Sequence, residues 1–281
     1  GSERLWDTPI TEMGFTGITV GAAMSGLRPV CEFMTINFAL QAIDHVVNSA
    51  AKGSHMSNGQ INCPIVFRGP NGPPGAVGAQ HSQCFGAWYA SVPGLITIAP
   101  YDSEDAIGLM KAAIRDDNPV MFLENEIMYG IETEVNDSHL DENFLIPIGQ
   151  AKTMKEGSDL TIVSYARGVG LSMEAAALLE QKGISAEVIN LRTLKPLDTD
   201  SIINSIKKTK RLLTVEEGWP QHGVGSEIVS VVCESEAFDY LDAPPQRITS
   251  ADVPIPYATN LEQESLPQPN DIALIAERLV G

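Results

Sequence analysis

The chain has 281 residues, enough for about two domains at roughly 150 residues each. Its 36 acidic residues against 18 basic ones leave a formal net charge of −18, which argues against a basic face for nucleic acid or an anionic membrane. With 43% hydrophobic and 19% charged residues it is a globular chain, long enough to bury a core without disulfides.

The first half alternates strand and helix signals. Pro29 to Ile36 is apolar and β-branched and reads as a strand, and Ala39 to Ala51 carries apolar residues at helical spacing. Pro64 to Arg68 is a short buried strand, Gln80 to Ala90 a helix and Leu95 to Ala99 a strand. Asp102 to Arg115 is a helix with Asp102 or Ser103 as cap and acids in the first turn, followed by a strand from Val120 to Glu124. The acidic, aperiodic stretch Glu132 to Asn143 reads as an exposed linker. A second set then follows. It has strands at Leu160–Tyr165, Ala186–Leu191, Arg211–Glu216 and Arg247–Ser250, and helices at Leu171–Gly183, Asp198–Lys207, Gly225–Glu234 and Asn270–Leu279. Continuous apolar strands alternating with helices imply an α/β chain with two parallel sheets covered on both faces.

Cys31, Cys63, Cys84 and Cys233 have no cysteine two to four positions away, so no zinc knuckle or redox pair is written locally. They read as reduced buried thiols, suited to a reducing compartment. No stretch reaches the roughly 18 apolar residues that span a bilayer. The start, Gly1-Ser2-Glu3-Arg4, is neither a signal nor a transit peptide and lacks a Met, so the chain reads as a fragment or a processed product.

The most unusual segment is RGPNGPPGAVG, Arg68 to Gly78, in which seven of the ten residues from Gly69 are Gly or Pro. It follows a strand, where α/β folds place ligands, but it has no P-loop Gly-Lys-Ser/Thr. A plain surface loop is the competing reading. His81 follows directly, as a proton shuttle, an anion ligand or a capping residue. His222, in WPQHGVG, is a weaker candidate. Glu12 is the lone acid of a small, apolar segment. It is either a carboxylate awaiting a donor or an ordinary helix N-terminal acid. The segment Ala113 to Pro119 ends a helix in exposed carbonyls plus Asp and Asn oxygens. It is a solvated end or a site for a hard cation. There is no G-x-S-x-G, H-E-x-x-H or G-x-G-x-x-G after the first strand.

The run from Asp7 to Lys52, with IVFRGPNG, GAQHSQCF, LENEIMYG, VINLRTLKPLD, LTVEEGWPQHGVGSEI and DAPPQRITSADVPIPYA, closely resembles the beta subunits of pyruvate dehydrogenase. These are thiamine-diphosphate-dependent 2-oxoacid dehydrogenases, and the resemblance covers essentially the whole chain. It implies an incomplete pyrimidine-binding-type parallel-sheet domain over residues 1–130, a linker over 131–150, and a transketolase C-terminal-like α/β domain over 151–281. Gly53 to Met56 departs from the aromatic residues expected there. By resemblance, Glu12 hydrogen-bonds the aminopyrimidine of thiamine diphosphate, favouring the imino tautomer that activates the cofactor. Phe38 stacks on that ring, and Ile10 and Met34 line it. His81 handles substrate and passes the acetyl group to a lipoyl arm. Ile65, Ala113, Ile114, Asp116 and Asn118 match a structural potassium site, and Asp242 a contact to the acetyltransferase core.

The Gly-Asp-Gly…Asn motif that holds magnesium and the diphosphate is missing. The resemblance places it on an alpha subunit, implying an alpha-2 beta-2 heterotetramer with a shared site and acetyl-CoA as the eventual product. The expected location is the mitochondrial matrix, with a bacterial cytoplasm as the alternative. Another 2-oxoacid or acetoin dehydrogenase beta subunit, and a non-catalytic scaffold, are the competing readings.

Overall fold

A computed structural model describes residues 1–281. It contains two five-stranded sheets, each with four parallel strands and one antiparallel edge strand. In chain order, helix α1 (Glu12–Met24) leads by a short turn into β1 (Val30–Glu32). The expected strand through Ile36 stops at Glu32, because Thr35 caps a short helical turn, α2 (Ile36–Ala39), through its Oγ1. The expected helix over 39–51 is broken. A 3₁₀ turn and a π-helical turn (His45–Ala50) precede α3 (Ala51–Met56). The π turn seats His45 against α1, where Gly17 leaves room. A β-carbon there would lie 3.0 Å from His45 Nε2.

β2 (Val66–Pro70) is followed by the glycine–proline loop. The helix expected over 80–90 resolves into a 3₁₀ turn (Ala79–His81) and α4 (Gly86–Ala90). β3 (Ile96–Ile98), α5 (Ser103–Arg115) and β4 (Val120–Glu124) follow. Asp102 caps α5 by accepting from the Asp105 N–H at 2.8 Å, and Glu104 and Asp105 suit the positive end of the helix dipole. The acidic stretch after β4 is exposed but strapped to α5. It includes α6 (Asp137–Leu140), and Lys111 Nζ donates to the carbonyls of His139 and Asp141.

The second half comprises β5 (Lys152–Lys155), β6 (Leu160–Ser164), α7 (Arg167–Glu180), β7 (Ala186–Asn190), β8 (Thr193–Lys195), α8 (Thr199–Thr209), β9 (Leu212–Val215), α9 (Val224–Cys233), β10 (Gln246–Ile248), α10 (Thr259–Ser265) and α11 (Pro269–Val280). The first sheet runs β1-β2-β4-β3-β8 and the second β10-β9-β6-β7-β5. Strands β5 and β8 are absent from the sequence reading. Both are edge strands of three or four residues, too short to show a period.

β8 lies late in the chain yet pairs with β3 of the first sheet. Only Leu191 and Arg192 separate it from β7 in the second. The Leu191 N–H donates to the Ser164 carbonyl of one sheet, and the Arg192 carbonyl accepts from Ala99 of the other. Buried Asp105 fastens this crossing. It accepts from Arg192 Nε at 2.6 Å and from Asn190 Nδ2 at 2.7 Å. A single apolar cluster spans the facing sides of both sheets, joining Phe33, Phe67, Phe85 and Tyr89 to Val163, Leu191, Leu212 and Ile228. Smaller clusters sit under α5 on one outer face and under α7 and α11 on the other. No helix is long and apolar enough to cross a membrane.

Removing one partner of a buried ion pair leaves the other charge uncompensated. Asp105→Ala or Arg192→Ala therefore destabilises the chain by about 3–5 kcal/mol, read from denaturant unfolding.

Candidate functional site

Strands β1, β2 and β4 are parallel, so the segments after them open at one edge of the first sheet. Those segments carry Met34, the glycine–proline loop with His81, and Asn125. The turn from α1 into β1 reverses the chain and brings Glu12, the first residue of α1, to that same edge. Ligands collect at such edges.

Glu12 is 7% exposed. Its carboxylate has no hydrogen-bond or ion-pair partner within the chain, although it sits at the favourable end of a helix dipole. A largely buried acid whose carboxylate reaches the surface and accepts from no group of the chain fits a ligand ring that brings its own N–H. Phe38 and His81 meet edge to face, ring centroids 5.4 Å apart at 81°. Their relation is set by residues the sequence reading did not single out. Asn37, buried beside Phe38, accepts through Oδ1 from the Gln83 N–H and Nε2, both at 3.2 Å. Its own Nδ2 donates to Thr35 Oγ1, and Thr35 Oγ1 donates to the Pro70 carbonyl. These are short-range polar residues of ordinary type, and only the fold shows that they bridge α2 to both ends of the loop.

Ile10 and Met34 are 87% and 74% exposed, and Met13 and Ile18 of α1 are also on the surface. This apolar surface around Glu12 has no cover from the chain itself. No cluster of three His, Cys, Asp or Glu side chains is assembled for a metal ion. An acid beside apolar and aromatic side chains thus fits the pyrimidine half of a thiamine cofactor.

The loop is not a free surface loop. Asn71 Oδ1 accepts from the Phe85 N–H at 2.7 Å, and the Gly72 N–H donates to the Gln83 carbonyl. Gly72 has φ +87, and a β-carbon there would stand 3.0 Å from Glu217 Oε2 of the second half. Glu217 in turn accepts from Asn125 Nδ2 and from Arg167 Nη1, each at 3.0 Å.

The oxygens matched to potassium lie around the end of α5. The Ile65 carbonyl accepts from Val120, and the Ala113 carbonyl from the Asp116 N–H. Asp116 Oδ1 accepts from the Asn118 N–H and Nδ2, both at 2.8 Å. Arg28, a residue the sequence reading passed over, donates Nη1 to the carbonyls of Ile114 and Asp116 and pairs with Asp117. Asp242 is exposed, with its Oδ2 3.8 Å from Arg211 Nη2.

His222 lines a separate pocket of about 350 Å³ between the two halves, with Trp88, Trp219, Cys84, Tyr165 and Glu216. Glu216 is buried and accepts from the Val224 and Gly225 N–H groups at the start of α9 and from the Tyr165 hydroxyl. Burial raises its pKa above the ordinary 4.5 despite those donors. Burial also pushes the Cys31 and Cys63 thiols up to about 11. Cys233, expected to be buried, is exposed at the last residue of α9, and all four cysteines are free.

Family models match both halves of the chain: the transketolase pyrimidine binding domain over residues 1–131 and the transketolase C-terminal domain over 149–272. The chain is 61% identical over 278 residues to the mitochondrial pyruvate dehydrogenase E1 component subunit beta-1 of Arabidopsis thaliana, covering 99% of this chain and 76% of that one. It is 58% identical to the Drosophila melanogaster and 57% to the Homo sapiens mitochondrial E1 beta subunits, over 281 residues that make up 77% and 78% of those chains. Among solved structures, a split-gene transketolase described as an inactive beta4 tetramer superposes with a TM-score of 0.81 at 21% identity, covering 99% of this chain and 84% of that one. A Pichia stipitis transketolase superposes at 0.70 with 18% identity, over 96% of this chain and 36% of that one.

Because the folded pKa of Glu216 is raised, its contribution to stability is complete below 4.5 and is lost as pH rises through the folded value. Glu216→Gln keeps an acceptor oxygen but no charge. Its stability relative to the parent chain therefore grows as pH rises above 4.5 and levels off past the raised folded value, as thermal unfolding across a pH series would show.

Proposed function

The chain belongs to the pyruvate dehydrogenase E1 beta-subunit family, and we propose that it is the beta half of a thiamine-diphosphate-dependent pyruvate dehydrogenase of the mitochondrial matrix. The observation that carries this is Glu12, a largely buried residue whose carboxylate accepts from no group of the chain, at the sheet edge that also holds the Phe38–His81 pair. The membership supports the overall reading, and the residue roles are those the family resemblance implies, with the geometry in support.

Thiamine diphosphate, when bound, supplies the carbanion chemistry that decarboxylates a 2-oxoacid. Glu12 accepts a hydrogen bond from the cofactor's aminopyrimidine and so selects the tautomer in which the cofactor activates itself. Phe38 offers its ring face, and Ile10 and Met34 exclude water from the same ring. His81, edge-on to Phe38, moves a proton at the substrate and then at the lipoyl thiol as the acetyl group is transferred, on the way to acetyl-CoA. The diphosphate and its magnesium belong to an alpha subunit, which covers the apolar surface around Glu12 in an alpha-2 beta-2 heterotetramer. The oxygens of Ile65, Ala113, Ile114, Asp116 and Asn118, with the Ile114 and Asp116 carbonyls accepting from Arg28 in this structure, have the chemistry that suits potassium, a hard monovalent cation, as a structural ion. Asp242, exposed and beside Arg211, docks the dihydrolipoyl acetyltransferase. A scaffold without catalysis has no use for a buried acid that lacks a donor, and this weighs against that alternative.

Glu12→Ala, assembled with an alpha subunit, lowers turnover with pyruvate at least about a hundredfold. Wild-type turnover in that variant would remove the assignment. In calorimetric titration, thiamine diphosphate with magnesium binds the mixture of the two subunits and not this chain alone. Tight binding to the chain alone would refute the shared site.

A further inference from the structure

We infer that Glu262, on α10 of the second half, is a positioning residue for His81, holding the glycine–proline loop in the conformation that presents the imidazole. This rests on the role given to His81 above.

The loop leaves β2 at Pro70 and reaches His81 in eleven residues. Its first part is held through Asn71 and Gly72. Its second part has an unfavourable backbone: Gly75 has φ +105, Ala76 +54 and Gly78 +79. Ala76 is not a glycine, and an alanine adopts the left-handed region only when its surroundings impose it. The imposing contact is Glu262 Oε2, which accepts from the Ala76 N–H at 2.8 Å across 186 residues of sequence. This is the one hydrogen bond of the Glu262 side chain. The residue is 4% exposed, and its other oxygen, Oε1, is buried with no partner. Burying a carboxylate on a single donor is costly, so fold stability is a poor reason for it.

The same segment touches the loop a second time. Tyr257 packs against Gly78, its Cδ2 3.5 Å from where a β-carbon would stand. The Gly78 carbonyl accepts from the His81 N–H at 3.2 Å and from Ser82 Oγ at 2.8 Å. The constraint therefore runs from Glu262 to Ala76, from Ala76 to Gly78, and from Gly78 to the backbone of His81. On its other side the His81 ring meets Phe38, which is tied to Gln83 through Asn37. Release of Ala76 frees one side of the imidazole while Phe38 stays in place.

The test uses the enzyme assembled with its alpha subunit and measures pyruvate-dependent lipoyl acetylation for Glu262→Ala, Glu262→Gln and His81→Ala, with amide hydrogen exchange over residues 74–82. Glu262→Ala lowers kcat about tenfold or more, with the pyruvate KM changed less than about twofold, and speeds exchange in that segment. Glu262→Gln, whose amide oxygen still accepts from Ala76, restores kcat and protection. A merely structural loss would lower the amount of assembled enzyme and spread exchange beyond residues 74–82, with kcat per active site unchanged. If Glu262→Ala does not assemble, Glu262→Asp, too short to reach Ala76, takes its place with the same expected loss. Wild-type kcat in the Ala or Asp variant, unchanged exchange, or a Gln variant as slow as the Ala variant overturns the inference. Full activity in His81→Ala would overturn instead the role of the histidine, and exchange alone would then judge the clamp.

Discussion

The chain passes from one sheet to the other through two residues, Leu191 and Arg192, and the architecture depends on that crossing. The backbone groups of these residues hydrogen-bond one sheet each, so neither sheet can move without straining the other. Arg192 holds φ +59, a conformation that a non-glycine residue takes only where its neighbours demand it. The demand comes from Asp105, fully buried at the start of α5 and engaged with both Arg192 and Asn190. A charge pair in that setting contributes specificity more than net stability. It admits one docking of the halves and penalises others.

That rigid union explains how residues far apart in sequence serve one edge of one sheet. The loop carrying His81 is built in the first half, yet Glu262, which accepts from its backbone, and Glu217, which accepts from Asn125 beside it, come from the second. Side chains on an isolated loop would sample many positions, at a cost in ordering entropy each time a ligand bound. Anchoring the loop to a neighbouring α/β unit meets that cost during folding. Asn37 does the same over a shorter range, linking Phe38 to Gln83.

The edge is finished on its inner side and bare on its outer side. Glu12 is buried without a donor while Ile10, Met13 and Met34 around it are exposed. A monomer rarely leaves large apolar side chains clustered beside a buried acid unless another surface covers them. The shared-site reading accounts for both features together.

Much of this was legible in the sequence. The alternation of apolar strands with amphipathic helices determined the two α/β units, and the cap at Asp102 marked a helix start, because these are local effects of burial and unpaired N–H groups. The composition of the glycine–proline loop and the motifs around Glu12, Phe38 and His81 pointed to the site and to the family. What the sequence could not show was which long-range pairs form. β8 is three residues with no period of its own, and its place in the first sheet follows from the crossing at Arg192. Strand β1 stops early and the helix after it is remodelled, because Thr35 and His45 answer to partners elsewhere in the fold. Glu217, Glu262, Asn37 and Arg28 are ordinary polar residues in sequence. Their roles arise from which backbone groups the packed halves bring within hydrogen-bond reach, and only the tertiary structure decides that.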